Sequence, residues 1–151
     1  METSESLASE TGFPSGSENV LYTANTHTTG GLEGASRSSD SRLDIKLSAP
    51  GGAGKGTNPE QLFAAAWSAC FIESLGIVAR QNKIILSSNA SINTEIDLCK
   101  ADNEHFFQVR LYISLPDLDA RIAQSLVELA KLTCPYSKAT EQTIKTEYHL
   151  I

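Results

Sequence analysis

Between Leu62 and Ile72 the chain reads Leu-Phe-Ala-Ala-Ala-Trp-Ser-Ala-Cys-Phe-Ile, apolar at every position but Ser68. The residues leading into it, Thr57-Asn58-Pro59-Glu60-Gln61, carry a strong helix start. Asn58 can cap the free N–H groups of the first turn, Pro59 suits the first helical position, and Gln61 stands three residues after the cap. A helix is therefore predicted from Pro59 to about Arg80. A helix that is apolar on nearly every side is buried centrally and does not lie on a surface by one stripe. Something must cover it on both sides, and one small sheet cannot. Burial across a homodimer interface is the expectation.

The remaining pattern supplies strands and one more helix. Val20–Thr29 is rich in β-branched and aromatic residues and stops at Gly30-Gly31. Leu43, Ile45 and Leu47 alternate with polar residues, as in a half-buried strand. Strands follow at Ser91–Leu98 and Gln108–Leu115, and a last one at Thr143–Ile151 puts Ile144, Thr146, Tyr148 and Leu150 on one face. Pro116-Asp117 opens a second helix with the stripe Ile122, Leu126, Leu129, Ala130 and Thr133, and Pro135 disfavours its continuation through Cys134. Strands mix with two long helices without a regular βαβ rhythm, so the fold class is α+β. Residues 1–18 contain no Lys or Arg and no periodicity, and read as a disordered N-terminal tail ahead of a single domain at 19–151.

The acidic balance, net charge −6, argues against nucleic acid and anionic membranes as partners. No segment reaches the ~20 apolar residues of a membrane span. The N-terminus lacks the basic and apolar regions of a signal peptide, so the expected compartment is the cytoplasm. Thiols are reduced there, and a cysteine pair is more often catalytic than structural.

There are three cysteines. Cys70 lies eleven residues into the first helix, and Cys134 at the end of the second, each on one of the two long helices. Helices packed ~8–10 Å apart could bring two facing cysteines within bonding range. Spacing alone is met equally by two inert core cysteines, the more frequent case.

Two motifs go further. Gly56-Thr57-Asn58-Pro59-Glu60-Gln61-Leu62-Phe63-Ala64-Ala65-Ala66-Trp67-Ser68-Ala69-Cys70-Phe71, followed by Cys134-Pro135-Tyr136-Ser137-Lys138-Ala139-Thr140, closely resembles the organic hydroperoxide resistance branch of the Ohr/OsmC family. The likeness runs from Val20 to Ile151 and includes Leu21-Tyr22-Thr23-Ala24, Thr29-Gly30-Gly31 and Leu43-Asp44-Ile45-Lys46-Leu47. It implies an OsmC-like fold, antiparallel sheets around two long central helices in an intertwined homodimer. It also implies a thiol peroxidase of the oxidative stress response. Cys70 matches the peroxidatic cysteine, which attacks an organic or fatty-acid hydroperoxide and becomes a sulfenic acid. Cys134 matches the resolving cysteine, which closes an intramolecular disulfide. The reductant implied is a dihydrolipoyl group on a lipoylated protein, with no metal, haem or flavin bound.

In one place the sequence departs from the family pattern. A buried thiol needs a nearby cation or N–H donors to ionise. The family uses an arginine after Thr-Gly-Gly, paired with the glutamate matching Glu60. Here that position is Leu32, followed by Glu33. Arg37 is the nearest substitute, five residues away and up to ~17 Å along extended chain, with Arg42 behind it and Arg80 as a distant rival. Glu60 lies ten residues, roughly 15 Å, from Cys70 along a continuous helix, so it could serve that thiol only from a partner subunit. Its ordinary reading is an acid favoured by the helix dipole. The alternative to a peroxidase is a low-activity family member, a thiol redox sensor or hydrophobic-ligand binder, because Leu32 stands in the arginine's place.

Other features carry less. Cys99 reads as a spare thiol, and His27, His105 and His149 share no ligand spacing that would suit zinc. The Gly51–Gly56 stretch lacks the ending of a phosphate loop and reads as flexible chain near the pocket. Tyr136 reads as packing and as positioning Cys134, not as an acid or base.

Overall fold

The computed structural model describes residues 19–151. The tail expected at residues 1–18 lies outside them. The described chain runs β1 (Thr26–Thr29), a 3-10 turn (Gly31–Glu33), β2 (Ala35–Ser38), β3 (Asp44–Lys46), α1 (Pro59–Gln81), β4 (Ser91–Ala101), β5 (Glu104–Ser114), α2 (Ala120–Thr133), α3 (Pro135–Thr140) and β6 (Lys145–Leu150). The strands form two three-stranded sheets, β1-β2-β3 and β4-β5-β6. The pairs are antiparallel, as expected, except that β6 runs parallel to β5. A parallel neighbour needs a long crossover, and α2 with α3 provides it.

The first helix starts where the sequence placed it. Asn58 Oδ1 accepts from the Gln61 N–H at 2.8 Å, and Pro59 opens a helix of 23 residues. Its inward stripe is Trp67, Phe71, Leu75 and Val78, spaced four, four and three. These side chains meet Val109, Leu111, Ile113 and Leu115, the alternate residues on and just beyond β5, and Ala123, Leu126, Val127 and Ala130 of α2. The second helix opens four residues later than predicted. Pro116-Asp117 forms a turn, with Asp117 in the left-handed region, and Asp119 caps α2 through the Arg121 N–H at 2.9 Å. The buried stripe shifts with it. Ile122 and Leu129, predicted inward, are each about two-fifths exposed.

Two further corrections concern the N-terminal half. Regular strand begins only at Thr26, six residues after Val20, which is exposed with Leu21 and Tyr22. The glycine-rich loop is not free chain at its end. The Gly56 N–H donates to Ser48 Oγ at 2.9 Å, and a Cβ there would meet the Leu47 carbonyl carbon at 2.6 Å. Thr57 then pairs with Leu47, its N–H on the Lys46 carbonyl at 3.0 Å, which fixes where α1 begins relative to β3.

The expected burial of α1 is half met within one chain. Its C-terminal half sits in the core, but in its N-terminal half Ala65 and Ala69 are exposed and Leu62, Ala66 and Ile72 only partly covered. The β1-β2-β3 sheet is likewise mostly exposed, with Ser36 buried and Ser38 and Ile45 half-buried. Because α1 is this long and apolar, it meets the length and composition of a membrane-crossing helix, contrary to the expectation that no segment would. Here it packs on α2 and β4, with Ser68 hydrogen-bonded to Thr94 at 2.7 Å.

Candidate active site

α1 delivers Cys70 with its thiol against that of Cys134. Cys134 sits at a joint. It ends α2, its N–H on the Ala130 carbonyl at 2.8 Å, and precedes α3, its carbonyl accepting from the Lys138 N–H at 3.0 Å. Its own backbone is extended (φ −68°, ψ 119°), because Pro135 excludes helical geometry in the residue before it. Pro135 then starts a six-residue helix that the sequence reading did not anticipate. The proline that ends α2 is well placed as the first residue of α3. Both thiols are free. Cys134 is fully buried and Cys70 partly so.

The wall beside them is aromatic. Phe63 and Trp67, four residues apart on α1, lie 5.5 Å centroid to centroid. Tyr136 stacks on Trp67 at 6.4 Å and meets Phe63 at 6.0 Å, and Phe107 of β5 closes on Phe63 at 6.0 Å. Tyr136 thus packs as expected, and its backbone has a second effect that no motif signals: its N–H acts on the Cys70 thiol. Burial is the main influence on that thiol and pushes it above the ordinary range. The neighbouring Cys134 thiol adds to the rise, and the Tyr136 N–H opposes it. No lysine or arginine is among these influences.

The candidate cations lie elsewhere in the chain. Within the described single chain, Arg37 is not among the groups that act on Cys70. It pairs across β2 and β3 with Asp44 at 3.6 Å, and both side chains are largely exposed. Strand pairing at Ala35–Ser38, which the sequence reading missed, holds it on the small sheet and not in a folded-back loop. Arg80 pairs with Glu73 at 3.1 Å, and Arg42 with Asp40 at 3.6 Å. Leu32 occupies the tip of the turn between β1 and β2, half-exposed. The turn needs its glycines. Gly30 is left-handed (φ 71°), and a Cβ on Gly34 would meet the Thr29 carbonyl carbon at 2.6 Å.

Glu60 stands in the first turn of α1, which is unbroken from 59 to 81, so the distance of roughly 15 Å from its own Cys70 holds. Its Oε2 is buried and has no hydrogen-bond partner among the described residues. A carboxylate oxygen in that state leaves a strong acceptor unused. Cys99 lies on β4 opposite Phe106, apart from the pair. The three histidines fall on β1, β5 and β6.

Comparison with known proteins bears on the family and the fold. The family model for OsmC-like proteins matches residues 52–149. An organic hydroperoxide resistance protein of Xanthomonas axonopodis pathovar citri is 45% identical over 131 residues, covering 84% of this chain and 92% of that protein. Among solved structures, the organic hydroperoxide resistance protein OhrB of Bacillus subtilis superposes with a TM-score of 0.80 at 36% identity, over 87% of this chain and all of that one. A counterpart from Legionella pneumophila gives 0.82 at 33% identity, over 87% and 98%. Family model, sequence relatives and backbone all point the same way, and the chain belongs to the OsmC-like protein family.

Proposed function

We propose that this protein is a thiol peroxidase that reduces organic hydroperoxides, fatty-acid hydroperoxides included, in the response to oxidative stress. The observation that carries the reading is the placement of the Cys70 thiol against the Cys134 thiol beside an aromatic wall. The names of the relatives, organic hydroperoxide resistance proteins, support it.

The Cys70 thiolate attacks one oxygen of the hydroperoxide. The S–O bond forms as the O–O bond breaks, and the departing alkoxide takes a proton to leave as the alcohol. Cys70 is then a sulfenic acid. The Cys134 sulfur attacks it, the S–S bond forms, and water leaves with the proton of Cys134. An external dithiol, in our reading a dihydrolipoyl group on a lipoylated protein, restores both thiols by exchange. The chain's own residues need no bound metal, haem or flavin for these steps. The cycle suits a compartment that returns thiols to the reduced state, such as the cytoplasm.

The working form in this reading is a homodimer. The open N-terminal half of α1 and the exposed β1-β2-β3 sheet favour a second copy as their cover, and the unpartnered Glu60 oxygen favours a donor arriving with it.

The test uses reduced protein and one equivalent of tert-butyl hydroperoxide. Rapid loss of two thiols, with Cys99 retained on mapping by mass spectrometry, is the expected result. Loss of no thiol, or of Cys99 in place of Cys134, would overturn it. A second reading has one specific observation in its favour: Leu32 replaces the family's arginine, and among the described residues no cation influences Cys70. A slow thiol redox sensor or hydrophobic-ligand binder would show the same two thiols lost only over hours, or not at all.

A further inference from the structure

Trp67 and Cys70 are three residues apart on α1, so they present neighbouring positions on one face. Cys134 and Ser137 are three apart at the start of α3. The two pairs meet rung to rung. Cys70 faces Cys134, and one turn away the Trp67 indole N–H donates to Ser137 Oγ at 3.2 Å. From the other side, the Tyr148 phenol of β6 donates to the same oxygen at 2.9 Å. Trp67 is fully buried and Ser137 nearly so. Among the described residues, Ser137 is the only α3 side chain that hydrogen-bonds another element.

Cys134 is tied to α2 by its N–H and to α3 by its carbonyl, and lies within neither helix. It occupies the extended joint between α2 and α3, so with α2 packed in the core its side-chain position follows how α3 is seated on it. A six-residue helix has little stability of its own. Its seating therefore depends on packing and on the buried acceptor that two donors share. Removing that acceptor would leave the buried indole N–H without a partner and the half-buried phenol O–H without this one, a state that drives local rearrangement.

We propose that Ser137 is a positioning residue for the resolving thiol: by accepting from Trp67 and Tyr148 it holds Cys134 in register with Cys70. The inference deepens the peroxidase reading and rests on it for its purpose, though not for its test.

The disulfide equilibrium can be measured without peroxide, in a glutathione redox buffer, as the effective concentration of one thiol for the other. Ser137→Ala is expected to lower it about tenfold, which is about 30 mV for a two-electron couple. Trp67→Phe and Tyr148→Phe each remove one donor and keep most of the ring, and are expected to lower it less. Trp67→Phe combined with Ser137→Ala should be less than additive, because both remove the same bond. In peroxide-driven oxidation, sulfenic acid trapped by dimedone should increase in Ser137→Ala relative to the parent, because the resolving step is slowed more than the first.

A Ser137→Ala protein that is merely less stable, with a disulfide equilibrium within twofold of the parent, would overturn the inference and leave the peroxidase reading standing. If Ser137→Ala does not fold, unchanged equilibria in both phenylalanine variants would overturn it equally. A parent that closes the disulfide in glutathione but ignores hydroperoxide would overturn the peroxidase reading alone. A parent that closes no disulfide would overturn both.

Discussion

The backbone N–H of Tyr136 acts on the Cys70 thiol, and among the groups that do so it is the one that favours ionisation. Burial and the Cys134 thiol both act against it, so Cys70 holds its proton above the ordinary thiol range. The reactive species is the thiolate. The rate with an organic hydroperoxide should therefore rise about tenfold per pH unit from pH 6 upward, with no plateau below the ordinary thiol value of about 8.5. The stability sign is the opposite one. A thiol that keeps its proton better when folded supports the fold at neutral pH, and that support fades as pH rises through its folded value. Stopped-flow oxidation across pH checks the first statement. A plateau at or below neutral pH would show that a cation reaches Cys70 in the assembled protein.

Leu32 offers the reciprocal experiment. It sits at the tip of a turn whose glycines fix its shape, so the side chain can be exchanged without disturbing the loop. Leu32→Arg places a guanidinium where the family pattern has one. A thiol lowered by one to two units gains about 10- to 100-fold in thiolate at neutral pH. Part of that gain is lost, because thiolates of lower pKa are weaker nucleophiles. We expect a net increase of about 3- to 10-fold in the second-order rate at pH 7, and a pH profile that levels off earlier. An unchanged rate and profile would mean that this turn does not approach a Cys70 in either copy.

Arg37→Ala should leave the peroxide rate within about twofold. Its guanidinium is committed to Asp44 on an exposed sheet, and the pair contributes roughly 0.2–1 kcal/mol. A small fall in melting temperature with unaltered kinetics is the expected signature. A rate loss of tenfold or more would place Arg37 at the thiol of a second copy.

The sequence is legible locally where one residue type decides the outcome. The Asn58-Pro59 start of α1, the alternation of Val109, Leu111 and Ile113, and the stop before Pro135 all appear in the structure. The stripe of α2 was misjudged because two sets of apolar residues share helical spacing, and only packing against α1 chose Ala123 and Val127 over Ile122 and Leu129. β2 was missed because Ala-Ser-Arg-Ser has no strand pattern of its own and pairs only because the glycine turn folds it onto β1. At the site, Cys70 and Cys134 were legible through two motifs. The acceptor role of Ser137 was not, because it depends on Trp67 and Tyr148, respectively 70 residues before it and 11 after it.

The first half of α1 decides whether the chain works alone. Ala65 and Ala69 are exposed there, one turn apart, while Trp67 and Phe71 on the inner side are fully buried. An apolar helix open to water on one face is an association surface, and small residues let a second helix approach closely. Sedimentation equilibrium should therefore give twice the chain mass of 16.2 kDa. Ala69→Glu should shift the protein to the monomer mass, because a carboxylate inserted into an apolar contact must be desolvated without a partner. Ser88→Glu, in an exposed turn after α1, should leave the dimer intact. Since Ala69 precedes Cys70 directly, a site shared between copies also requires that Ala69→Glu slow thiol oxidation as it dissociates the dimer. A monomer with the parent's oxidation rate would mean that the thiol pair is complete within one chain.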